Sequence, residues 1–87
     1  MDTPTLPSLC RALERYAGWL DRDRASAAVR VGVHSLGAAI DARADASALL
    51  TELDITISHL PTGDIRKMLR LTAGQIRRAL DTRNAHG

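Results

Sequence analysis

The sequence predicts an all-α domain of four or five helices, and three observations carry that reading. Apolar residues recur at spacings of three and four along most of the chain, whereas period-two alternation is confined to Asp54-Ile55-Thr56-Ile57-Ser58. One such strand has nothing to pair with, because sheets need partners. Tyr16 and Trp19 are the only aromatic residues and there is no Phe, so the core has to be built from Leu, Ile, Val and Ala, which suits closely packed helices. The 87 residues, 45% apolar and 25% charged, have the proportions of one globular domain rather than a disordered chain.

In chain order, Leu6, Leu9, Cys10, Leu13, Tyr16, Ala17 and Leu20 mark a first helix. Thr5 or Ser8 is its cap and Pro7 falls early, where a missing N–H costs least. Trp19 is read as packing at the edge of the core. Asp21-Arg22-Asp23-Arg24 is a charged break, with Asp23 placed to cap a second helix over Ala25–Arg43. That helix carries its main stripe at Val29, Val33, Leu36 and Ile40, and a second stripe at Ala27, Val31, Ala38 and Ala42. Apolar character on two sides of one helix points to a shared surface, so the second stripe is read as a homodimer interface. The apolar phase changes between Ile40 and Leu49, which implies a break near residues 44–46 with Asp45 or Ser47 as the next cap. A third helix, through Leu49, Leu50, Leu53 and Ile57, has to end by Leu60, because Pro61 disfavours helical geometry in the residue before it and Gly63 follows. Thr62 or Asp64 caps what comes next. No internal repeat is visible at this level.

The closing stretch, residues 62–83, carries Ile65, Met68, Leu69, Ala73, Ile76, Ala79 and Leu80 on one stripe. Leu71 falls off it, beside Lys67 and Arg78. A break at residues 70–72 removes that anomaly, and Thr72 with Gln75 has the spacing of a capping box that would start a new helix. Read with the break, residues 45–83 resemble the three-helix core of helix-turn-helix DNA-binding domains. Ile65, Leu69, Leu71, Ile76 and Ala79 match the motif's buried positions, while Arg66 and Arg70 stand where the motif has a small residue and a turn glycine. The resemblance implies a recognition helix whose leading residues Thr72, Ala73, Gly74 and Gln75 approach bases. Arg77 and Arg78 would read guanine or hold phosphate, and Lys67, Arg70 and Arg83 would contact the backbone. Without the break, the same residues form one uninterrupted amphipathic helix. The chain thus divides into a helical pair over 1–43 and a helix-turn-helix-like part over 45–83.

Charge supports an anionic partner at the C-terminal end. Residues 62–87 carry six Arg/Lys against Asp64 and Asp81, whereas residues 1–61 carry six Arg against eight Asp/Glu. Chemistry beyond binding finds no footing. His34, His59 and His86 have no metal-ligand spacing, Cys10 has no second thiol to pair with, and no nucleophile, phosphate-loop or dinucleotide motif occurs. No cofactor is expected and no enzyme activity. The chain has no charged-then-apolar leader and no run near the roughly 20 apolar residues of a membrane span, so a cytoplasmic, membrane-free setting is expected. The sequence favours a small dimeric DNA-binding regulator. The alternative is a helical module that binds an acidic protein surface, and the backbone at residues 70–72 separates the two.

Overall fold

The computed structural model describes the backbone of residues 5–86 and the side chains of residues 5–83. It contains four helices: α1, Leu6–Gly18; α2, Arg24–Asp41; α3, Ser47–Ser58; and α4, Asp64–His86. No strand occurs among the described residues. The Ile55–Ile57 alternation is absorbed into α3, where Ile57 faces the core and Ile55 faces outward.

Local chemistry sets the helix ends. The Thr5 hydroxyl accepts the Ser8 N–H at 3.2 Å to open α1, and the Asp23 carboxylate accepts the Ser26 N–H at 2.7 Å to open α2. The bonds from Ser26, the backbone N–H first and the side chain second, hold the Asp23 carboxyl below its ordinary value. Asp45 accepts the Ser47 N–H at 3.0 Å ahead of α3 and is lowered for the same reason. α2 stops at Ala42 through a paired motif in which the Ala44 N–H reaches the Ala39 carbonyl and the Arg43 N–H reaches that of Ile40. Arg43 takes the left-handed position, with φ 57°, that glycine usually fills. The joint over residues 42–46 contains the break near residues 44–46 that the phase change predicts.

The short joints make chain neighbours antiparallel, and α1 closes the ring against α4. α1 and α3 lie on one diagonal of the bundle, α2 and α4 on the other. One core runs through the middle, with Leu13, Leu36, Leu50, Leu53, Ile57, Leu69 and Ile76 fully buried. α4 packs on both α3 and α1, so residues 45–83 form the second of two interlocked hairpins.

The hairpins are equivalent at an offset of 40 residues. Buried Leu13, Ala17, Val29, Val33, Leu36 and Ile40 correspond to buried Leu53, Ile57, Leu69, Ala73, Ile76 and Leu80, and the starts of α2 and α4, Arg24 and Asp64, correspond as well. The sequence hides this repeat because few pairs are identical; what recurs is the buried pattern.

Candidate interaction face on α4

α4 runs without interruption through residues 70–72. Thr72 does not cap a new helix; its hydroxyl donates back to the Met68 carbonyl at 2.8 Å, inside the existing one. Leu71, expected to plug a turn, is 66% exposed, while Thr72 and Ala73 are 5% and 0% exposed and belong to the core. The reason is phase. On a straight helix Ala73 shares the inward stripe with Leu69, Ile76 and Leu80, and the adjacent Thr72 can be buried because its hydroxyl is satisfied within the helix.

The remaining residues expected to touch nucleic acid divide into three groups. Lys67, Arg70, Gly74, Gln75 and Arg78 are exposed around Leu71, on an outward face where i, i+3 and i+4 neighbours meet. Arg77 is turned toward α3, donating to the Thr51 hydroxyl at 3.0 Å and standing 4.0 Å from the Asp54 carboxylate. That ion pair is long and solvated and contributes little. Arg83 is half-buried near the far end, beside Leu6, Pro7 and Ile40. The structure therefore gathers five of the nine residues named from sequence into one patch and takes Thr72 and Ala73 out of it.

Sequence reasoning missed Arg66 as part of this surface. Its guanidinium donates to the Thr62 hydroxyl at 3.0 Å, in an exposed bond, while its Nε is buried with no hydrogen-bond partner. Leaving such a donor unmet costs about 1–3 kcal/mol. Arg66 lines two hollows at the end of the bundle where the 19–23 and 59–63 joints meet. One, of about 530 Å³, is lined by Thr62, Gly63, Arg66, Lys67, Arg70 and Leu71, with three cations and no acid. The other, of about 220 Å³, includes Trp19, Leu20, Ile65 and the carboxylates of Asp21, Asp23 and Asp64. Trp19 is 56% exposed rather than packed in the core, with its ring tilted against Tyr16 at 5.5 Å. The signal in the sequence was the mismatch of Arg66 with the small residue of the helix-turn-helix pattern.

The equivalence of the hairpins supplies an internal reference for α4. At the positions of Lys67, Leu71, Gly74 and Arg78, α2 carries Ala27, Val31, His34 and Ala38. All four are exposed, and Val31 is 66% exposed, like Leu71. Arg70 has a cation, Arg30, at its equivalent position, but Lys67 and Arg78 replace Ala27 and Ala38, so those two charges are not required by packing. The α2 stripe of Ala27, Val31, Ala38 and Ala42 lies wholly on the surface.

Elsewhere, a groove of about 290 Å³ between α1 and α2 holds Cys10, Glu14, His34 and Asp41. Burial, followed by the nearby Asp41 and Glu14 charges, pushes the Cys10 thiol up, which keeps it from acting as a thiolate. Among the described residues no group of three or more His, Cys, Asp or Glu is placed to hold a metal. Among the described residues no helix is long and apolar enough to cross a membrane. No family model, curated protein or solved structure matches the chain.

Proposed function

We propose that this chain is a helical protein-interaction module whose working surface is the outward face of α4, and that its partner presents an acidic surface. One observation carries the reading: Leu71 stands exposed on an unbroken helix, surrounded by Lys67, Arg70 and Arg78. A phosphate backbone gains from the cations and nothing from the leucine, whereas a protein surface gains from both, the apolar contact providing affinity and the charges steering encounter. A recognition helix reads bases with its leading turn. Here Thr72 and Ala73, which would form that turn, are core residues in mid-helix. The geometry thus supports the protein-binding alternative over the DNA-binding one. Within the same reading, the stripe of Ala27, Val31, Ala38 and Ala42 on α2 is assigned to a second copy of the chain.

The test is affinity capture from lysate of the source cell, scored separately for protein and nucleic acid, with wild type beside Leu71→Asp. The expected result is a protein that wild type retains through a high-salt wash and Leu71→Asp does not. Capture of nucleic acid alone, released by salt and indifferent to Leu71→Asp, replaces this reading with DNA binding.

A further inference from the structure

The hairpin equivalence indicates what kind of group the larger hollow receives. In the first hairpin the joint before α2 provides its own carboxylate: Asp23 accepts the Ser26 N–H, and Ser26 is buried. Forty residues on, Gly63 stands in the place of Asp23 and Arg66 in the place of Ser26. The second joint therefore has its acid one residue later, at Asp64 in the place of Arg24, and has gained a guanidinium at Arg66. That guanidinium is held by one exposed bond to Thr62, its Nε unmet. Folding alone does not call for this exchange, since Ser26 shows that a small residue fits the slot. Around Arg66 the lining of this hollow adds Lys67 and Arg70 and no carboxylate, with Leu71 at its edge. The neighbouring hollow, which Arg66 also lines, has Asp21, Asp23 and Asp64 against that single cation and is the poorer place for an acid.

Resting on the reading of the chain as a protein-interaction module, we infer that the hollow at Arg66 receives a carboxylate side chain from an acidic helical segment of the partner, beside an apolar residue of that segment packed on Leu71. The Thr62 bond uses Nη1 and leaves Nε and Nη2 unbonded, and a turn of the side chain that uncovers Nε presents these two as a fork, the geometry that binds a carboxylate through two parallel bonds. Lys67 and Arg70 add charge complementarity at the rim, which favours an acidic segment over a neutral one and accelerates docking.

The experiment is an NMR titration of the ¹⁵N-labelled full chain with three probes. These are a helix-forming peptide carrying glutamates beside a leucine pair, its glutamine counterpart, and a short DNA duplex. The glutamate peptide is expected to move the Arg66 Nε–H signal and the backbone amides of residues 63–71, while the glutamine peptide binds at least about tenfold more weakly, because charge-assisted bonds are roughly twice as strong as neutral ones. Arg66→Ser installs the residue of the equivalent slot. It should keep the fold and weaken the glutamate peptide by roughly tenfold, the scale of one lost bond to a charged group. Equal binding to Arg66→Ser and wild type, or shifts scattered over the chain's other arginines, overturns the carboxylate hollow while leaving the interaction module standing. The same holds if the glutamate peptide causes no shift and the duplex also causes none. If the duplex alone moves the residue 63–71 signals, both the hollow and the module reading fall.

Discussion

Gly32 and Gly74 both sit inside helices, and their surroundings give them opposite roles. A Cβ on Gly32 would stand 2.9 Å from Leu53 Cδ1, and Leu53 is itself buried in the core with little room to turn away. Gly32 is therefore what lets α2 approach α3. Gly74 has nothing within 4 Å of a built Cβ, so its only effect on stability is the cost of a glycine in a helix. Gly74→Ala should raise stability in urea melts by about 1 kcal/mol, the helix-propensity difference. Gly32→Ala gains the same propensity but incurs about 1–3 kcal/mol of overpacking, so it should end no more stable than wild type. A clear gain at Gly32 would mean that the α2–α3 contact is looser than the structure has it.

Of the four helices, α4 is where sequence and structure part most informatively. A substitution pair reads out its course: Leu71→Ala should leave the melting curve within about 0.5 kcal/mol of wild type, as exposed positions do, while Ile76→Ala should cost about 2–5 kcal/mol. A turn plugged by Leu71 would instead make both substitutions costly. The ends of α1 and α2 were legible because Thr5 and Asp23 are the right side chains directly ahead of an apolar stripe, and Pro61 with Gly63 closed α3 by steric necessity. The continuity of α4 was less legible because two local signals imitated a break. Leu71 is an exposed leucine that periodicity alone cannot distinguish from a buried one, and Thr72 with Gln75 has capping-box spacing at a place where the hydroxyl bonds backward instead. Arg66 escaped notice for a related reason: nothing in its immediate neighbours shows that its Nε is buried, since the hollow is made by a joint folding back on a helix.

At the scale of the molecule, two hairpins with one buried pattern enclose a core from which almost no sequence identity can be read, because Val33 and Ala73, or Ala17 and Ile57, satisfy the same inward position. Their outer faces are under no such constraint, and there they diverge. α4 carries Lys67 and Arg78 beside Leu71 where α2 carries Ala27 and Ala38 beside Val31, with Arg30 and His34 at its margins. Small neutral residues let another helix come close without desolvating charge, and a two-fold contact lets one such stripe serve both chains. The two faces lie on diagonal helices of the bundle, so pairing through α2, if the proposed dimer forms, would leave α4 of each copy open to the proposed partner. Two linked sites of that kind raise avidity for a partner that is itself paired. Sedimentation over a range of concentrations should therefore show a dimer for wild type and a shift to monomer for Val31→Glu, which places a charge at the centre of the stripe. Leu71→Glu, at the equivalent position of α4, should leave the dimer intact. If wild type stays monomeric at high concentration, the α2 contact is removed, and each chain binds through α4 alone.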